Sequence, residues 1–327
     1  MTNIRFCDIP TPLAGLALGI ASLGNCWEMT GLFSGGARSL SAGLAFALLL
    51  LIAVKFLLHP AALKQDLEHP VVGSVVPTLA MALMIVSMGL EPGLRLTMWL
   101  VAVGLHLGFL VMFLRARLPG FTLGQMVPSW FVPPVGLIVA NVSAPPVALA
   151  GGLLGLFLDG LFWFALACYA VMLPVMLYRL IFLEDIPDAA KPTIAILAAP
   201  ASLSLTGYLS MTPYPSMLLV MLLLGIALLM TTLIYVAFFR LMRLPFSPAY
   251  AAFTFPMVIG ATALFKVAPL LATWGMDTAS LSILLGLAQL ELAIATLVVG
   301  YVAVRYGLFF VNSGAAAHTG PVRSSQD

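Results

Sequence analysis

The sequence predicts an all-α integral membrane protein: ten transmembrane helices as five helical hairpins around a central pore, with the proline-kinked odd helices inside. Three observations predict it. The chain is 62% hydrophobic and 8% charged, with a mean hydropathy of +1.12; soluble domains carry roughly 25% charged residues. Its apolar residues fall into ten runs, most of them near the ~20 residues that cross a bilayer core. Counting ten runs also sorts the basic residues onto one side.

The runs are 10–28, 39–58, 71–90, 95–114, 128–143, 148–180, 192–211, 215–239, 248–266 and 279–304. The first follows Arg5 but has no small-residue cleavage site before Trp27 and Glu28, so it reads as a retained span. The fifth is short and holds Pro128, Pro133 and Pro134, which makes its ends the hardest to place. Turn-rich or charged links separate the runs, as at Gly31 to Arg38 and Glu184 to Lys191. A single transmembrane channel domain is expected over 1–312 and a disordered cytoplasmic tail over 313–327, where the sequence turns small and polar.

With a cytoplasmic N-terminus, ten spans place Arg5, Lys55, Lys64, Arg115, Arg117, Arg179, Lys191, Arg240, Arg243, Arg305 and Arg323 on one face. Those are eleven of the 14 basic residues. Only Arg38, Arg95 and Lys266 fall opposite. This is the positive-inside pattern, so both termini are expected in the cytoplasm of a bacterial-type inner membrane. An odd count would break it. The net charge of +2 gives no footing for nucleic acid. Cys7, Cys26 and Cys168 form no pair or Cys/His cluster, so no metal or cofactor is expected.

Odd and even runs differ. The odd ones carry Pro12, Pro77, Pro133 and Pro134, Pro200 and Pro256; among the even ones only the sixth has a proline well inside, Pro174. Kinked helices survive in membranes where neighbours re-satisfy the freed backbone. The odd runs also hold small and hydroxyl residues, from which Gly19, Thr78, Asn141, Ser202, Thr254 and Thr262 are taken as pore-lining candidates. The ionisable groups at membrane depth, His106, Asp159 and Glu291, all lie on even runs. They are candidates for proton relay or for contacts between helices or subunits. Small residues also serve close helix packing, which is the commoner use of any single one.

Several stretches resemble the tellurite-resistance/dicarboxylate transporter family, in the superfamily of the plant slow anion channels. IPTPLAGLALGIASLGNCWE is similar to its first inner helix, FVPPVGLIVAN to its fifth, ILAAPASLSLTGYLS to its seventh and YAAFTFPMVIGATALF to its ninth. The resemblance runs from about Pro10 to Leu308. It implies ten helices, five of them around a pore, in a homotrimer with one pore per subunit. It also implies a phenylalanine gate, which falls on Phe255 beside Pro256, and a glycine that accommodates the ring, which falls on Gly15.

The function expected is passage of small anions: chloride, nitrate, sulfite, tellurite-type oxyanions or C4-dicarboxylates. Helix ends and hydroxyl donors would supply the partial positive charge in a pore without fixed cations. The alternative on the same fold is a proton-coupled dicarboxylate or sulfite exporter using His106, Asp159 or Glu291. An intramembrane enzyme is disfavoured, since neither HExxH nor another catalytic signature is present.

Overall fold

The computed structural model describes residues 6–316. Among them every regular element is helical. The longer helices are α1 (Leu13–Glu28), α2 (Gly36–Leu58), α3 (Pro60–Glu68), α4 (Thr78–Ser87), α5 (Pro92–Arg117), α6 (Gly152–Phe182), α7 (Ala199–Met211), α8 (Met217–Leu241), α9 (Thr254–Thr273) and α10 (Thr278–Ala316). Between α5 and α6 lies a broken segment of 3-10 and α turns, Pro128–Phe131, Val132–Val135, Gly136–Ile138 and Val139–Ser143. The tail expected over 313–327 lies, beyond Ala316, outside the described residues.

Among the described residues, seven helical stretches are long and apolar enough to cross a membrane. Pro60–Glu68 and Val72–Ser87 make an eighth if counted together, although they meet at a 110° bend. The expectation of ten transmembrane helices is corrected accordingly: seven or eight pass by length and apolarity. Helix α1 has only 16 residues. The stretch 128–143 cannot form one helix because Pro128, Pro133 and Pro134 remove donors and crowd the preceding turn.

The prolines sit differently from expectation too. Pro12 and Pro77 precede the first residues of α1 and α4. Pro200 and Pro256 occupy the first turns of α7 and α9. There the missing N–H has no intrahelical partner to lose. They mark where a 3-10 entry (Lys191–Ala198, Pro248–Phe253) passes into α-helix. The prolines within helices are Pro174 of α6 and Pro269 of α9.

The alternation of two environments is present in burial. The stretches Lys191–Met211 and Pro248–Thr273 bury 78% and 72% of their most apolar window, against 28–39% for α2, α5, α6, α8 and Thr278–Asn312. The outer helices expose large apolar side chains such as Leu57, Leu153, Leu218, Phe239 and Leu297. Only an apolar solvent tolerates such a surface.

Packing is organised as a closed ring. Helix α1 touches α4 and α9, α4 touches the broken segment, the broken segment touches α7, and α7 touches α9. Each ring member also packs on the long helix that follows it in the chain. At one end of the bundle Lys55 pairs with Asp66 at 2.9 Å and bonds Thr11 at the same distance, fastening α2 and α3 to the start of α1. Between α9 and α10, Asp277 accepts the Ser280 N–H at 2.9 Å. The Ser280 hydroxyl and backbone hold its carboxyl below the ordinary value.

Candidate functional site

The ring members line a cavity of about 70 Å³, enough for ~5 water molecules. Each ring member contributes to its wall: Pro12, Gly15 and Leu18 from the first, Thr78 and Met81 from α4, Val135 and Gly136 from the broken segment, Pro200 and Leu203 from α7, Phe255 and Pro256 from α9. No charged side chain among the described residues lines it.

Phe255 projects into this space with 8% of its surface exposed. Phe253 does not. It is fully buried among Tyr250 and Phe238, at ring separations of 4.9 Å and 5.3 Å. Residues two apart on a helix diverge by ~200°, which places the two rings on opposite sides of the chain. Gly15 lies against the segment leading into α9; a Cβ there would stand 3.3 Å from that of Ala251.

Of the pore-lining candidates, Thr78 alone reaches the cavity. Gly19 packs against Thr254 so closely that a Cβ would overlap the threonine hydroxyl. Thr254 lies within reach of the carbonyls of Ala251 (2.7 Å) and Gly15 (3.1 Å). Asn141 is buried toward α6 and donates to the Leu158 carbonyl at 3.0 Å. Ser202 and Thr262 donate to Ala198 (3.2 Å) and Val258 (2.9 Å) on their own helices.

These bonds bear on one of the two expected sources of positive potential, the hydroxyl donors, and leave the helix ends untouched. The two cavity hydroxyls, Thr78 and Thr193, donate to the carbonyls of Val75 (2.6 Å) and Ala190 (2.7 Å). A hydroxyl has one proton, so each presents only lone pairs to the cavity. In this conformation the wall offers no hydroxyl donor to an anion.

The three ionisable candidates separate. His106 is fully buried behind Gly136, with Nε2 2.9 Å from the Pro133 carbonyl. It meets a carbonyl that the proline-broken backbone leaves accessible. Glu291 is 3% exposed on α10 against Gly260 of α9, where a Cβ would come 2.7 Å from its Oε2. That oxygen and the nearby Tyr235 hydroxyl have no hydrogen-bond partner. Asp159 is exposed on the outer face of α6, among exposed Leu156, Phe157 and Trp163. His106 and Glu291 are therefore packed within the chain, and only Asp159 is available to a neighbouring molecule.

Sequence reasoning missed Met81, Leu203 and Thr193 as wall residues. Leucine, methionine and threonine carry no distinguishing chemistry there. Only spacing from a known wall position could have shown them.

A closed ring of short, buried helical segments around an uncharged cavity, jacketed by longer helices with apolar exteriors, defines a multi-pass membrane transport protein. The chain belongs to the SLAC1 family of voltage-dependent anion channels, whose family model matches residues 9–306. It is 26% identical over 245 residues to an uncharacterized transporter of Methanocaldococcus jannaschii, covering 65% of this chain and 69% of that protein. A second uncharacterized transporter of the same organism is 26% identical over 223 residues, 59% of this chain and 62% of its own length.

Proposed function

We propose that this protein passes small anions through the ring, and that the Phe255 side chain closes the path. The observation that carries this is the position of Phe255: an apolar ring in an uncharged cavity to which all five ring members contribute. Such a constriction excludes the water an anion needs, so passage requires the ring to move. Gly15 gives the entry to α9 room beside α1. Chloride, nitrate, sulfite, tellurite-type oxyanions and C4-dicarboxylates remain the candidate substrates.

Ten passes follow if α1 and the broken segment each cross, shortened, inside the jacket of longer helices. A cavity-lined interior can tolerate irregular backbone that lipid cannot. Both termini then lie in the cytoplasm of a bacterial-type inner membrane, as the basic residues require. The assembly we propose is a homotrimer with one path per subunit, and exposed Asp159 is the polar group on the face that a neighbour would cover.

Glu291 supports a second reading. A buried carboxylate with an unpartnered oxygen, one helix behind the cavity wall, suits a proton-coupled exporter of dicarboxylate or sulfite. Purified protein in liposomes, assayed against a panel of anions with and without a pH gradient, separates the two. A channel conducts without the gradient, and a coupled exporter needs it.

A further inference from the structure

Glu291 of α10 is buried in a polar group that four helices share and that lies outside the cavity wall. It is 3% exposed. On α9 it meets Gly260, whose missing side chain leaves the room that its Oε2 takes up. A Cβ at Gly260 would lie 2.7 Å from that oxygen and 3.8 Å from the Thr231 hydroxyl of α8. Tyr235 of α8 and Cys26 of α1 lie within electrostatic reach of the carboxyl, and Cys26 in turn faces Thr262 of α9.

This group is incompletely bonded. Glu291 Oε2 and the Tyr235 hydroxyl are both buried without a hydrogen-bond partner. The two ion pairs among the described residues, Lys55–Asp66 and Lys191–Asp188, leave Glu291 out. The elements packed on it bring it no cation: α1 presents Cys26, α8 presents Tyr235 and Thr231, and α9 presents Gly260. Lys266, further along α9, bonds Ser210 of α7 instead. The entry to α9 sets Tyr250 against Tyr301 and Arg305, several turns along α10 from Glu291. A carboxylate buried with a bare oxygen and no cation is costly, whereas the neutral acid has a proton to donate and still accepts from a hydroxyl.

The contact matters because of the helix it rests on. Gly260 lies ~7.5 Å along α9 from Phe255 and ~140° around it. One face of α9 therefore carries the closing ring into the cavity, and the face turned from the cavity rests on Glu291.

We propose that Glu291 is a proton-operated latch on α9: it carries its proton while Phe255 closes the path, and loss of that proton loosens the contact between α9 and α10 and frees the ring to move. An ionised carboxylate must draw in water or donors, and the close contact at Gly260 leaves no room for them. The latch rests on the reading that the ring is an anion path closed by Phe255. It differs from proton-coupled export in needing no gradient, since equal pH on both sides sets the opening.

Conductance of the reconstituted full chain tests it, with pH changed equally on both sides from about 5 to about 9, which spans the titration of exposed and buried glutamates. Current should rise with pH by up to about tenfold per unit, the limit for one proton. Glu291→Gln, which keeps the shape and cannot ionise, should stay closed throughout. If that variant does not fold, Glu291→Met serves in its place with the same expectation. Phe255→Ala should conduct across the range with little dependence on pH. Parent current that ignores pH, or the same rise in the glutamine variant or in Phe255→Ala, overturns the latch.

A second reading needs no current. In a Cys7→Ser, Cys168→Ser background the remaining thiol is Cys26, which is buried in the closed form. A small thiol reagent should label it faster as pH rises, and more steeply than in the same background with Glu291→Gln, where thiol ionisation alone contributes. Equal slopes overturn the latch. A steeper slope in the parent, with no current through Phe255→Ala at any pH, would leave the latch standing and remove the anion path.

Discussion

The Thr254 hydroxyl stands 3.1 Å from the backbone carbonyl of Gly15. That contact joins the first ring helix to the residue immediately before Phe255, so α1 helps to position the Phe255 side chain. Gly19, one turn on, abuts the same threonine. Gly19→Ala should therefore force α1 and α9 apart and destabilise the protein by about 1–3 kcal/mol, as overpacking does elsewhere. Thermal melting in detergent checks this. A variant as stable as the parent would show that the two helices are not in the close contact described.

Topology gives a second prediction. Tags at residues 2 and 327 should both report the cytoplasm, and a tag at Gly35 the opposite side. Opposite-side termini would mean that the broken segment or α1 turns back without crossing.

Much of this was legible in the sequence because burial and charge are written in composition. The two environments showed as alternation of prolines and small residues with long apolar runs, and the ring and jacket follow that alternation. What was not legible was how proline acts. Pro200 and Pro256 read as mid-span kinks, but the structure uses them in first turns, where the preceding residues run as 3-10 helix. Nor could spacing show that Thr262 and Ser202 bond their own helices, because a serine or threonine on a helix serves a pore and a preceding carbonyl equally well. Phe255 was legible by resemblance alone; with 20 phenylalanines in the chain, nothing in its own chemistry marks it.

Asp159 carries a third prediction. A carboxylate among exposed Leu156, Phe157 and Trp163 is poorly placed against lipid. In the proposed trimer it faces a neighbouring subunit. Mass measurement in mild detergent should find trimers for the parent chain and a shift toward monomers for Asp159→Lys. Monomers throughout, before and after substitution, would remove the assembly proposed.

Glu291 separates the two functional readings. Glu291→Gln keeps the shape beside Gly260 and removes a carboxylate whose Oε2 lacks a partner. If the protein is a channel, the variant should fold at least as well as the parent and conduct equally at acid pH. Loss of pH-gradient-driven flux with folding intact would instead assign Glu291 to proton coupling.

The central claim is that Phe255 closes the path, and current through liposome-reconstituted variants tests it most directly. Phe255→Ala should raise anion conductance strongly, because it deletes the apolar closure without adding charge. Phe255→Leu should raise it less, since a smaller apolar group still resists wetting. Phe253→Ala should not open the path; it should instead lose about 3–5 kcal/mol of stability by hollowing the cluster with Tyr250 and Phe238. Strong current in Phe255→Ala at matched reconstitution is the predicted result. Current no greater than that of the parent protein, or opening by Phe253→Ala in its place, would contradict the account.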